Sequence, residues 1–333
     1  MKKKLMSLML AFVLALSMCT VAFAAEEESY EDQAAFTFTK NYNIAGQGIT
    51  FDETFHFTAP VCTNVTDAAV GVTAASENAR ENGLPTVSDV SFEANLISKQ
   101  GTVTVTLPEY TSVGIYTYSF KEEKGNTAGV AYDESMYTFT VSVFNGEGNT
   151  FIRVPSMIKN EKGEKVDSVT NVYTANSLSV KKVVEGKLGD KSREFTVTVK
   201  FTAPEGTEVK QSIWCATKEK TKTIKAGDWK DGTAEATISL KNEQTITFDN
   251  IPAGVTYEVT EADYEEEGYT TTYENQSGTM GAEPISTVIT NTKDGGEIET
   301  GINLDSMPYI LMMVVVCAGV FVLFSKKRMA RED

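Results

Sequence analysis

Two lysines, two glutamates and two asparagines recur in one order along this 333-residue chain: Lys40, Glu122, Asn171, then Lys182, Glu261, Asn291. Each lysine closes a short alternating stretch, Phe36-Thr37-Phe38-Thr39-Lys40 and Leu178-Ser179-Val180-Lys181-Lys182. Successive strand residues point to opposite faces, so Lys40 shares a face with Phe36 and Phe38. Lys182 likewise sides with Leu178 and Val180, while Lys181 points away. The same parity puts Glu122 with Tyr116, Tyr118 and Phe120, and Glu261 with Tyr257 and Val259. Each asparagine ends a β-branched run, Ser168-Val169-Thr170-Asn171 and Val288-Ile289-Thr290-Asn291. Burying such groups among aromatics is costly unless they act together. Desolvation lowers the pKa of an amine and raises that of a carboxyl, which makes a neutral nucleophile and a protonated acid available. The amine can then attack the asparagine side-chain carbonyl while the acid polarises it and shuttles protons, and ammonia leaves. The product is an amide joining the first and last strands of a domain. Taken singly, each residue has a plainer reading, because lysine is almost never fully buried and a glutamate or asparagine beside a turn is usually solvated. Inward parity and a repeated order favour the reactive reading.

The elements that must hold these residues are strands. Thr102-Val103-Thr104-Val105-Thr106, Tyr116-Thr117-Tyr118-Ser119-Phe120, Tyr137-Thr138-Phe139-Thr140-Val141 and Phe195-Thr196-Val197-Thr198-Val199 all alternate with period two and are bounded by turn residues. One short helix is expected between Asp67 and Asn82. Many short strands at this spacing predict an all-β chain built of sandwiches rather than a parallel sheet. An internal repeat divides it: Phe57-Thr58-Ala59-Pro60 returns as Phe201-Thr202-Ala203-Pro204, and each copy carries a Gly-led strand before its glutamate. We therefore expect two tandem domains, 25–175 and 176–296, joined near Ala175 by a linker too short for free swinging.

Composition excludes several functions. With 41% hydrophobic and 10% aromatic residues the chain can build real cores. Thirty basic against 46 acidic residues, a net charge of −16, argue against a nucleic-acid partner. One histidine and four cysteines leave little room for a zinc site or a His-based dyad, so no metal and no cofactor is expected. The acidic stretch from Asp263 to Glu267 lacks the spacing of a calcium loop. Glu122 and Glu123 point to opposite faces and cannot flank one substrate, which disfavours a hydrolase. Of the cysteines, Cys19 falls in the leader and Cys317 in an apolar tail, which leaves Cys62 and Cys215 in different domains. No disulfide closes either domain.

Both ends read as processing signals. Residues 1–24 combine a basic start, Lys2-Lys3-Lys4, with an apolar run and Ala22-Phe23-Ala24, so a signal peptide cleaved after Ala24 is expected. A lipoprotein reading through Cys19 is weaker, since Met18 stands where a small residue is wanted. Residues 297–333 hold Glu297-Ile298-Glu299-Thr300-Gly301, an apolar run from Tyr309 to Phe324, and Lys326-Lys327-Arg328. That run is somewhat short of the ~20 residues of a comfortable transmembrane helix, yet with its basic stop it can hold the chain at a membrane.

Several stretches carry a resemblance. Phe-Thr-Phe-Thr-Lys-Asn-Tyr at 36–42, Tyr-Thr-Tyr-Ser-Phe-Lys-Glu-Glu at 116–123, Ser-Leu-Ser-Val-Lys-Lys-Val at 177–183 and Tyr-Glu-Val-Thr-Glu-Ala-Asp-Tyr at 257–264 resemble the major backbone pilins of group A streptococci. The resemblance implies two tandem Ig-like domains of the Cna-B type, each with a self-formed Lys–Asn isopeptide bond promoted by a glutamate. Carried over, the triads are Lys40, Glu122, Asn171 and Lys182, Glu261, Asn291. Thr300-Gly301 then resembles a sortase cleavage site, although Glu297 and Ile298 stand where the common motif has Leu and Pro; the variant points to a pilus-type sortase. The resemblance also implies an acceptor lysine late in the first domain. Lys165 matches through its Gly-x-Lys-Val context, one residue nearer to Asn171 than in the family, with Lys162 as runner-up. The implied function is the shaft of a covalent homopolymer, with a sortase, minor pilins and peptidoglycan as partners. The alternative is a singly wall-anchored adhesin or minor pilin.

Overall fold

The computed structural model describes residues 30–80, 83–94, 97–216, 221–225, 228–295 and 307–329. The leader at 1–24 and the Thr300-Gly301 motif lie outside the described residues. The chain is nearly all β, as expected from its alternating stretches. Along Gly114–Lys121, Tyr116, Tyr118 and Phe120 are buried while Thr117 and Ser119 are only partly covered, which is the burial pattern of a strand with one face on a core.

Two four-stranded sheets, one built on Gly114–Lys121 and Met136–Asn145, the other on Phe195–Thr202 and Thr256–Glu261, each pack against a different part of one large mixed sheet. The first pairing encloses a core that includes Phe38, Tyr42, Phe55, Tyr118 and Phe139; the second encloses Leu178, Val180, Phe201, Phe248 and Val259. These are two tandem sandwiches. The large sheet is continuous because one 18-residue strand, Ser168–Glu185, serves both. Its first half runs parallel to Ala35–Gly46, and its second half runs parallel to Ile285–Thr292. The last strand of one sandwich is thus the first strand of the next, so the junction is ladder-bonded chain rather than a loop.

Polar side chains lock this junction. Asn250 sits in the left-handed region at φ 64°, and its Oδ1 accepts from the Ile49 backbone N–H at 2.9 Å and from the Tyr173 hydroxyl at 3.3 Å. Its Nδ2 donates to the Ser212 carbonyl at 3.1 Å. Nearby, buried Glu53 accepts from Thr127 at 3.0 Å and from Lys210 at 3.3 Å, so both sandwiches contribute donors to one carboxylate.

The expected helix is shorter than its sequence span. Only Ala74–Asn78 is helical, capped by a reciprocal Thr73–Ser76 box. Positive φ angles at Asp67 (53°) and Gly71 (92°) break the backbone before it. At the far end Met307–Met329 is helical, but among the described residues no helix is long and apolar enough to cross a membrane. The apolar run expected to hold the chain at a membrane is thus helical, with no spanning helix among the described residues.

The junction yields a test. Asn250→Gly keeps the left-handed backbone without strain and deletes only the side-chain bonds. Urea unfolding should show a loss of about 1–3 kcal/mol, the cost of leaving buried partners unsatisfied, together with new proteolytic cleavage near residue 176.

Candidate functional site

Each triad is assembled by strand register. In the first sandwich Lys40 pairs across the parallel ladder with Val169, and Tyr42 with Asn171. In the second, Lys182 pairs with Ile289, and Val184 with Asn291. Both asparagines therefore lie two residues beyond the lysine's partner and on the lysine's face. That offset is about 7 Å along the strand, a gap that a lysine's four-carbon stem can span. The glutamates come from the opposing sheets: Glu122 directly follows Gly114–Lys121, and Glu261 ends Thr256–Glu261.

The two sites are dry. Lys40, Asn171, Lys182 and Asn291 are fully buried, Glu122 is buried, and the Glu261 side chain has no exposed surface. In the first site the Glu122 carboxylate bridges the other two groups: Lys40 Nζ donates to its Oε2 and Asn171 Nδ2 to its Oε1. Asn171 Oδ1 accepts from the backbone N–H of Asp133 at 2.8 Å. Since that N–H can only donate, the amide orientation is fixed: oxygen toward Asp133, nitrogen toward Glu122. The Glu122 carboxylate thus meets the amide nitrogen of Asn171, while the amide oxygen faces the Asp133 backbone. Burial drives the Lys40 amine below its ordinary pKa, with the Glu122 charge opposing it, and drives the Glu122 carboxyl above its own, with Lys40 and Asn171 opposing. Both shifts favour the uncharged pair. A ring caps each amine, Phe55 at 4.7 Å from Lys40 Nζ and Phe195 at 4.6 Å from Lys182 Nζ.

The second site is looser. Lys182 Nζ lies 3.0 Å from Glu261 Oε1 without hydrogen-bond alignment, and Glu261 Oε2 accepts from the Thr271 hydroxyl at 3.4 Å. Both polar atoms of the Asn291 side chain lack a hydrogen-bond partner among the described residues. Burial again lowers the Lys182 amine, against the charge of Glu261.

Sequence reasoning missed Asp133, Phe55 and Phe195. The rings read as ordinary core, and Asp133 contributes through its backbone, which no side-chain pattern signals. Lys165 and Lys162 are both exposed; Lys165 bridges Lys159 through its backbone, and Lys162 sits in the turn closed by Gly163 N–H on Asn160. Cys62 and Cys215 are buried, and neither is in a disulfide among the described residues. No group of side chains among the described residues could hold a metal ion.

Comparison with known proteins places this geometry. Residues 36–174 match the family of Spy0128-like isopeptide-containing domains, and residues 176–293 match a family described as a domain of unknown function, DUF7601. A pilin of Streptococcus pyogenes serotype M1 is 31% identical over 237 residues, covering 64% of this chain and 68% of the relative. Two solved structures share the fold. One is an asparagine-to-alanine variant of the major pilin of Streptococcus pyogenes, at 22% identity and TM-score 0.50, covering 79% of this chain and 100% of that one. The other is a further major pilin of that species, at 21% identity and TM-score 0.52, covering 79% and 99%. The solved structures share the fold, and the relative that is 31% identical over 68% of its own length shows the family: this chain belongs to the pilin family.

Proposed function

We propose that this pilus subunit is the shaft unit of a covalent polymer, and that each of its two domains closes on a self-formed Lys–Asn amide. One observation carries the reading: a buried Lys, Glu and Asn recur at the same register offset in both sandwiches. The neutral Lys40 amine attacks Asn171 Cγ, the protonated Glu122 gives a proton to Nδ2 from Oε1 as it takes one from Nζ on Oε2, and the Cγ–Nδ2 bond breaks with release of ammonia. Lys182, Glu261 and Asn291 do the same in the second domain. The reaction occurs once per domain, so the chain is a product of its own chemistry rather than an enzyme.

In this reading the exported chain begins at residue 25, folds as domains 25–175 and 176–296, and ends in a sorting signal, 297–333. A pilus-type sortase cuts between Thr300 and Gly301 and joins Thr300 to Lys165 of the next subunit, with Lys162 as the second choice. The named relatives are pilins and major pilins, which supports an extracellular, cell-wall-linked polymer that also takes minor pilins and attaches to peptidoglycan. Lys165 is exposed, as an acceptor must be, and its neighbour Val166 lines a groove with Phe36, Pro155 and Met157.

Two outcomes test the reading. Glu122→Ala should abolish ammonia loss from the first domain only, and Glu261→Ala from the second only, each read by mass after proteolysis. Each variant should lose on the order of 5 kcal/mol, by analogy with a cross-link closing a loop of about 100 residues; bonds that form normally in both would remove glutamate from the mechanism. Cells expressing the chain with its sortase should show a ladder of multimers on denaturing gels. Lys165→Arg keeps the charge but cannot act as an amine nucleophile, so it should collapse the ladder to monomer. A ladder lost only in Lys162→Arg would move the acceptor, and no ladder from the native chain would favour a singly anchored surface protein.

A further inference from the structure

Beside the first triad lies a feature that the second lacks. The short strand Val130–Ala131 pairs with Tyr173 and Val172 of the shared strand, immediately next to Asn171, and then turns away. That turn presents the Asp133 backbone N–H to Asn171 Oδ1 at 2.8 Å. The turn is itself braced: Asp133 Oδ1 accepts from the Ser135 N–H at 2.9 Å, and Oδ2 from the Tyr137 hydroxyl at 2.6 Å. In the second sandwich the neighbour of the asparagine strand is a regular strand, Thr270–Glu274, which runs past Asn291 with Thr271 as its ladder partner. No donor there reaches Asn291 Oδ1 among the described residues.

Resting on the isopeptide reading above, we infer that the Asp133 backbone N–H is the oxyanion donor of the first domain, held in place by Ser135 and Tyr137, and that it makes the first-domain reaction intrinsically faster than the second. When Lys40 Nζ bonds to Asn171 Cγ, the carbonyl electron pair moves onto Oδ1, and a fixed N–H in a dry site stabilises that charge without reorganising. The pair returns as Cγ–Nδ2 breaks, and the proton carried by Glu122 leaves with ammonia. Atoms balance as amine plus primary amide giving secondary amide plus ammonia, with no oxidant or further reactant. The division of labour follows from the hydrogen bonds: Glu122 serves both nitrogens, and Asp133 serves the oxygen. In the second domain Asn291 Oδ1 has no such partner among the described residues, so the charge that develops there meets no prepared donor.

The test removes one hydrogen. Cell-free synthesis of the full chain with malic acid in place of Asp133 turns that amide into an ester and keeps the carboxylate. Chains are quenched in denaturant over time, and ammonia loss is read separately for residues 30–175 and 176–295, the second domain serving as an internal clock. First-domain bond formation should slow by about a hundredfold, the effect of deleting one oxyanion donor, with the second domain unchanged. A slowing of less than about threefold would overturn the inference. If the ester chain fails to fold, seen as rapid proteolysis of its first domain, Tyr137→Phe replaces it; there a several-fold slowing confined to the first domain is expected, and an unchanged rate with an intact fold would overturn the assignment. Absence of ammonia loss from the unmodified chain would instead overturn the isopeptide reading itself.

Discussion

A lysine, a glutamate and an asparagine removed from water between two sheets would cost several kcal/mol if left unpaired. In the first sandwich all three are hydrogen-bonded together through Glu122; in the second, Lys182 faces Glu261 at 3.0 Å while the Asn291 side chain has no partner among the described residues. The lysine comes from the first strand, the asparagine from the last, and the carboxylate from the opposite sheet. A parallel neighbour relation between first and last strands is what brings an amine within reach of an amide, and it can arise only when the whole domain between them has folded. The contact is therefore a consequence of folding, and the proposed bond would make it permanent.

The shared strand extends this logic along the molecule. Ser168–Glu185 carries Asn171 near one end and Lys182 near the other, eleven residues apart on one continuous ladder. The hydrogen bonds of Asn250, Tyr173, Gln211 and Glu53 tie the two sandwiches together beside it. The two sandwiches are thus joined by a continuous strand ladder and by buried side-chain hydrogen bonds.

Much of this was legible in the residues because strands have a period of two. Parity alone assigned Lys40 and Lys182 to the core face and Lys181 to solvent, and burial agrees, with the Lys181 side chain 40% exposed. Repetition of FTAP and of the Lys, Glu, Asn order exposed the tandem arrangement. What could not be read depends on backbone geometry. The helix near residue 74 is cut short by left-handed residues, and Asn250 serves as a junction bracket only because of its φ. Asp133 matters through a main-chain donor that any residue but proline could supply. The hydrogen-bond role of Glu122, on nitrogen rather than oxygen, likewise required the amide's orientation in space.

The most direct measurement is the intact mass of the soluble region, residues 25–300, produced in the absence of any sortase. The account predicts a deficit of two ammonia molecules relative to the sequence, one assigned to a peptide pair containing Lys40 and Asn171 and the other to a pair containing Lys182 and Asn291. A mass equal to that of the sequence, with both lysines free to modification after unfolding, would contradict it.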